Sequence, residues 1–400
     1  MHYAALGVSL SSVPQQPQWD DLARVQRMRQ RLRDSPALVS AGTVHELRSL
    51  LGRVAAGEAN VIQAGDCAEN PSECTTDCVA RKAALLEVLG GAMKLNTHKP
   101  VLRVGRIAGQ FGKPRSEPIE RVGHLELPVF RGHMVNAPEA DPYRRRADPR
   151  RLLACYQAAR EVVENLGWQG PSWVRHVDPP IWISHEALLL DYEIPMLRRD
   201  RKKQLFLGSA HWPWVGVRTG HSDGAHVAML ADVINPVACK IGPSMTASEL
   251  RALCERLDPE REPGRLTLIA RIGAETVTEV LPRLVAATRS AGHPVIWLCD
   301  PMHANTVRTP SGYKTRFLSA ITREVRNFRR VVEEGGGTAG GLHLEITPDD
   351  VTECVPDEYH LGEVGDNYRS FCDPRLNLQQ ALTVISAWTG APVPASDGGS

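Results

Sequence analysis

The feature that most constrains this chain is a recurrence of short, almost continuously apolar runs, each dissolving into polar side chains at its C-terminal end. Eight can be read in order: "NVIQAGDCAE" (60–69), "VLRVGRIAGQ" (101–110), "PIWISHEALL" (180–189), "QLFLGSAHWPWVG" (204–216), "PVACKIGP" (236–243), "RLTLIARIG" (265–273), "PVIWLCDPMH" (294–303) and "GLHLEIT" (341–347). Unbroken apolar runs suit strands covered on both faces, as in parallel sheets. Amphipathic helical stretches separate several of them, most clearly "ASELRALCERLD" (247–258) and "TVTEVLPRLVAATRSAG" (276–292). Eight strand–helix units predict an α/β fold, a (β/α)8 TIM barrel. An open doubly wound sheet is the alternative. It would more naturally carry a Gly-rich phosphate turn, and the chain has neither G-x-G-x-x-G nor a Walker-type loop.

Around this barrel, predicted over 56–390, the sequence adds three segments. Residues 1–55 form a partly helical extension whose basic stretch "DDLARVQRMRQRLRDS" reads as a surface or oligomer-contact helix. A Pro- and Arg-rich segment, "KPRSEPIERVGHLELPVFRGHMVNAPEADPYRRRADP", follows the second strand, and so long a loop is expected to be functional or mobile. Residues 391–400 read as a disordered tail. The charges nearly cancel, 47 basic against 46 acidic residues, so no nucleic-acid partner is expected. No run approaches the roughly 18 apolar residues of a membrane span. The N-terminus lacks the pattern of a signal peptide, which predicts a cytoplasmic protein whose nine cysteines are mostly reduced thiols or metal ligands.

In a (β/α)8 barrel the C-terminal ends of the strands carry the chemistry. Those ends hold Asp66, Cys67 and Glu69; Arg106; His185 and Glu186; Trp214 and Arg218; Lys240; Arg271; Asp300 and His303; and His343 and Glu345. One class among them is metal-ligating: Cys67, His303 and Glu345, with Asp373 of "CDPRLN". A thiol, an imidazole and carboxylates suit a divalent first-row ion. Each has a plainer reading: a buried thiol for Cys67, a loop histidine for His303, an Arg-paired carboxylate for Glu345 and a helix N-cap for Asp373. The other class is cationic: Arg106, Lys113, Arg115, Arg218, Lys240 and Arg271. Cations inside apolar strands are costly unless paired or met by a ligand, and phosphates match arginine forks. "KPRS" gathers Lys113, Arg115 and Ser116 into a compact second anion site, or alternatively a solvated basic loop. A metal with two anion sites points to an enzyme acting on two phosphorylated substrates, one carrying a carbonyl.

At these residues the chain resembles the type II, plant-like 3-deoxy-D-arabino-heptulosonate 7-phosphate (DAHP) synthases. The resemblance rests on "QAGDCAE", "RIAGQFGKPRS", "RGHMVN", "WISHEALLLDYE", "DGAHV", "NPVACKIGP", "CDPMHANT", "HLEIT", "VTEC" and "CDPRLN", in this order from about residue 60 to 385. It implies condensation of phosphoenolpyruvate with erythrose 4-phosphate at the entry to the shikimate route, and a divalent metal, Mn2+ or Co2+, with Zn2+ and Mg2+ as further options. Carried onto this chain, Cys67, His303, Glu345 and Asp373 would ligate the metal. Arg106, Arg218, Lys240 and Arg271 would hold phosphoenolpyruvate, with Trp214 and Glu186 nearby, and Lys113, Arg115 and Ser116 would hold the aldose phosphate. Catalysis would fall to Lys240, Arg106, Cys67 and His303.

The chain departs from the family pattern in five places. Val217 and Gly220 stand where Glu and Arg are usual, His133 where Asp is usual, Ala304 where Gly is usual, and no Gly pair follows Cys354. It is also short, like members dedicated to secondary metabolism of the phenazine or aminoshikimate type. The resemblance therefore implies little inhibition by aromatic amino acids. It implies a homo-oligomer, and association with chorismate mutase is known among relatives. A modified amino- or imino-tetrose phosphate acceptor, and a degenerate barrel acting as a binding partner, are the alternatives. Proximity of Asp373 to the metal would bring Cys372 near Cys67, so that metal loss allows a disulfide.

Overall fold

The computed structural model describes residues 13–170 and 179–388. Eight parallel strands form a nearly closed barrel: β1 (Asn60–Gly65), β2 (Val101–Arg106), β3 (Trp182–Ser184), β4 (Trp214–Val215), β5 (Val237–Ile241), β6 (Leu266–Ala270), β7 (Ile296–Cys299) and β8 (Thr338–Glu345). Their order is β3-β2-β1-β8-β7-β6-β5-β4, and a bridge between Glu186 and Trp214 links the two ends. The helices are α1 (Leu22–Asp34), α2 (Ala41–Ala55), α3 (Thr76–Thr97), α4 (Arg150–Asn165), α5 (Ala225–Ala231), α6 (Ala247–Leu257), α7 (Val277–Ser290), α8 (Leu318–Glu334) and α9 (Leu378–Trp388). After β8, α9 packs between α8 and α3, completing the ring. The chain has the (β/α)8 architecture that its apolar runs predict.

Side chains alternate along each strand, so the apolar runs feed two cores. Outward residues such as Ile62, Ala64, Cys239 and Leu268 pack beneath the helices. Inward residues Val61, Val104, Trp182, Trp212, Trp214, Ala238, Ile269, Ile296 and Leu298 form a second core inside the barrel. Leu47, Leu51 and Val54 of α2 join that inner core and are fully buried. The helix thus stoppers the N-terminal end of the barrel. It starts at Ser40 with a reciprocal capping box to Thr43.

Three segments differ from the expectation in detail. The fourth apolar run divides. Leu205–Leu207 pairs antiparallel with Leu197–Arg199 outside the barrel, and only Trp214–Val215 forms β4. The small residues Gly208, Ser209 and Ala210 break the run, and Asn235 ties off its first half by accepting from Leu207 N (2.8 Å). The long segment after β2 contains a hairpin, Ile119–Val122 with Leu125–Pro128, turning at Gly123. Glu120 anchors it, accepting from Arg115 Nη2 (2.8 Å) and Phe130 N (3.1 Å) and pairing with Arg145. Finally, α1 packs against α4, and Arg29 forms a buried ion pair with Asp191. Val25, Met28 and Leu32 of its apolar face are buried within the chain, while Leu22 is exposed. The tail at 391–400 lies outside the described residues. Among the described residues no helix is long and apolar enough to cross a membrane.

Candidate active site

Up each strand the inward set changes from apolar to charged: Val104 to Arg106, Ala238 to Lys240, Ile269 to Arg271, Leu298 to Asp300. These charges collect at the C-terminal end of the barrel, opposite α2. Register explains the closest pair. Gly65 of β1 lies between Arg106 of β2 and Glu345 of β8. Its lack of a side chain leaves the two free to meet, and Arg106 Nη2 donates to Glu345 Oε1 at 3.0 Å. A Cβ at Gly65 would stand 2.7 Å from Arg106 O.

Cys67 follows β1, Glu345 ends β8, and Asp373 lies in the loop beyond. Their sulfur and carboxylate oxygens fall within 4.8 Å of one another. His303 Nε2 is 3.1 Å from Glu345 Oε1, so the fourth predicted donor adjoins the three. Asp300 orients that ring, with Oδ2 2.8 Å from His303 Nδ1. One thiol and two carboxylates so gathered, with an imidazole beside one of them, have the chemistry of donors for a divalent first-row ion. Burial opposes ionisation of Glu345, yet His303, Lys113, Arg316 and Arg106 hold its carboxyl well below the usual range. Burial pushes the Cys67 thiol well up, reinforced by its hydrogen bond with Cys372 and by Glu345, so an incoming ion must displace its proton. Both of these thiols are free.

The predicted cations fall into two groups. The deep group lines the barrel wall. Arg106 Nη1 donates to His343 Nε2 (2.9 Å), and Arg106 Cζ lies 5.5 Å from the Trp214 ring centroid. His343 bonds Gln63 Oε1 through Nδ1 (2.6 Å), which leaves Nε2 as the acceptor. Lys240 Nζ meets Asp300 Oδ2 at 2.8 Å, and Arg271 Nη2 donates to His303 O at 2.9 Å. Arg106 Nε, Arg271 Nε and Trp214 Nε1 are buried donors without partners among the described residues, as Glu186 Oε1 is an acceptor. Three unspent donors around the same end of the barrel suit a ligand with several anionic oxygens. The outer group is Arg115, paired with Glu120, and Ser116, which accepts from exposed Arg218 (2.5 Å).

Two predicted phosphate ligands therefore stand elsewhere than the resemblance implies. Arg218 sits on the turn after β4 and reaches out to Ser116 rather than into the wall. Lys113 leaves Arg115 and Ser116 for the acidic donors, 3.0 Å from Asp373 Oδ2 and 3.6 Å from Glu345 Oε1. Other side chains were not singled out from sequence. Fully buried Arg316 pairs with Glu345 Oε2 (2.8 Å), and Lys314 with Asp373 Oδ1 (2.7 Å). Both belong to a hairpin, Thr306–Arg308 with Lys314–Arg316, and two cations at i and i+2 on one strand are the signal that marks them. Glu324 of α8 accepts from Gly273 N (2.8 Å) and Asn305 Nδ2 (2.5 Å), tying the loops after β6 and β7. Among the family departures, His133 packs edge-on to Phe130 and Phe371 and bonds Glu69 O (3.0 Å). Gly220 is closely packed: a Cβ there would lie 2.9 Å from Cys239 Sγ and 3.1 Å from Gly216 O, so a larger residue would require Cys239 to shift.

The model of the Class-II DAHP synthetase family matches residues 8–172 and 161–387. A Pseudomonas fluorescens protein named probable phospho-2-dehydro-3-deoxyheptonate aldolase is 54% identical over 382 residues, covering 95% of this chain and 96% of its own. A Streptomyces coelicolor phospho-2-dehydro-3-deoxyheptonate aldolase is 38% identical over 416 residues, covering 92% of each. The solved structure of phospho-2-dehydro-3-deoxyheptonate aldolase from Francisella tularensis SCHU S4 shares the fold at a TM-score of 0.54 and 13% identity, covering 91% of this chain and 95% of its own.

Proposed function

The chain belongs to the Class-II DAHP synthetase family and is a 3-deoxy-7-phosphoheptulonate synthase, and from that premise we propose that it joins phosphoenolpyruvate to erythrose 4-phosphate with a divalent metal held by Cys67, His303, Glu345 and Asp373. The observation that carries this reading is the meeting, at one end of the barrel, of the Cys67–Glu345–Asp373 donors with a wall of buried cations. A divalent ion there supplies Lewis-acid polarisation of the aldehyde oxygen.

The side chains do the rest. Arg106, Lys240 and Arg271 hold the phosphate and carboxylate of phosphoenolpyruvate against Trp214, and Arg115, Ser116 and Arg218 hold the phosphate of the aldose. Holding both substrates in attack geometry supplies much of the rate. C3 of the enol bonds to the aldehyde carbon, water adds at C2, and the C2–O bond to phosphate breaks, so one water is consumed and inorganic phosphate leaves. Burial lowers the Lys240 pKa despite its pairing with Asp300, which suits it to pass a proton to the new alkoxide. Phosphoenolpyruvate consumption with erythrose 4-phosphate is expected to cease in EDTA and return with Mn2+ or Co2+. Turnover unaffected by exhaustive chelation would sink the metal assignment.

The same chemistry on an amino- or imino-tetrose phosphate is a second reading, motivated by Val217 and Gly220 standing where the family pattern has Glu and Arg. Competition between the two acceptors separates them. The gathered Cys67, Glu345 and Asp373 donors, with His303 beside Glu345, argue against a purely structural role, as a partner of chorismate mutase for example. The product is proposed to feed a secondary-metabolite route.

A further inference from the structure

We propose that Asp66, Arg375 and Glu353 are positioning residues that set the separation of Cys67 and Asp373, an inference that rests on the metal site proposed above. These two donors come from opposite ends of the barrel sequence; backbone pairing links their segments only through β8, by Gly65 O to Ile346 N (2.9 Å) and Leu376 N to Glu345 O (2.9 Å), and leaves the side chains to set the separation of the donor atoms. Asp66 immediately precedes Cys67. Its Oδ1 meets Arg375 Nη1 at 2.8 Å, and its Oδ2 meets Lys82 Nζ of α3 at 2.7 Å. Arg375 follows Asp373 by two residues and grips Glu353 with Nη2 (2.9 Å) and Nε (3.2 Å).

Glu353 in turn folds the loop that carries Asp373. Its two oxygens accept from Arg369 N (3.1 Å), Ser370 N (2.8 Å) and Arg375 N (2.7 Å). Within that loop Ser370 Oγ donates to Asp373 O (2.6 Å), and Asp373 N donates to Cys67 Sγ (3.2 Å). All three residues are buried, and Glu353 is fully so. A buried ionic triad is a poor source of stability compared with apolar packing of the same volume. Here it is a charged side-chain strap between the loop after β1 and the loop after β8, alongside the Asp373 N–Cys67 Sγ contact, and the outer partners of metal ligands govern how well those ligands bind.

The test is Co2+ titration of the EDTA-stripped full-length protein, read by equilibrium dialysis and by the thiolate-to-cobalt absorption band. Thermal melts are run on the same samples. Arg375→Met and Asp66→Asn are expected to raise the Co2+ Kd about 10–100-fold and to weaken the band, with Arg375→Lys recovering part of the loss. Variants that melt earlier yet keep the wild-type Kd and band would overturn the inference. Should Arg375→Met fail to fold, Asp66→Asn decides, since it keeps side-chain shape and the Arg375–Glu353 pair. Wild-type protein that bound Co2+ without a thiolate band would instead overturn the ligand assignment of Cys67 itself.

Discussion

Glu324 shows how a single carboxylate writes itself into the pH response. Burial raises its pKa from an ordinary 4.5 to about 7, although Gly273 N and Asn305 pull it down. The folded chain thus holds this proton more tightly than the unfolded chain does. Its contribution to stability is complete below 4.5 and gone once pH has risen past 7, a span worth roughly 3 kcal/mol. Urea midpoints of the wild type should therefore fall from pH 5 to pH 8 more steeply than those of Glu324→Gln. Equal slopes would show that Glu324 does not hold the proton. At this scale sequence reading has a clear boundary. Cys67, His303, Glu345 and Asp373 could be picked out as donor types, but over 300 residues separate the first from the last. Only the ordered motifs of a family assembled them in advance. Lys113 shows the converse: its motif neighbours are Arg115 and Ser116, while Coulomb attraction in a buried acidic cluster decides where its ammonium rests.

Among the elements, β1–β8 were legible because an unbroken apolar run between helices admits few folds other than a covered parallel strand. β4 was legible only as the tail of a longer run, since a strand of two residues leaves almost no pattern of its own and the stronger signal of Leu205–Leu207 lay in the same run. The hairpin bearing Lys314 and Arg316 was illegible for a different reason. Its strands are polar, and their value lies in the partners they meet, which no periodicity encodes. Arg316 is the buried counterion of Glu345. Arg316→Met would strip that partner from a carboxylate with no access to water, and should destabilise the fold by about 3–5 kcal/mol. Denaturant unfolding at neutral pH measures it, and a loss under about 1 kcal/mol would mean that Arg106 and Lys113 already neutralise Glu345.

For the whole molecule, (β/α)8 closure follows from eight strands in sequence, and α9 seals the last gap in the helical ring. The proposed dedication to a secondary route carries an expectation at this scale. Trp, Phe and Tyr, each at millimolar concentration, should leave the steady-state rate unchanged, and strong inhibition by any of them would refute that part of the proposal. The stoppering of the barrel by α2 has a consequence for traffic. With Leu47, Leu51 and Val54 filling the floor, everything that enters must leave by the same doorway. On the proposed assignment phosphoenolpyruvate lies against the deep wall of Arg106 and Lys240, and the aldose phosphate at the rim with Arg115 and Ser116. A vestibule with one door is filled from the back, so the aldose, once seated, bars the exit of the molecule behind it.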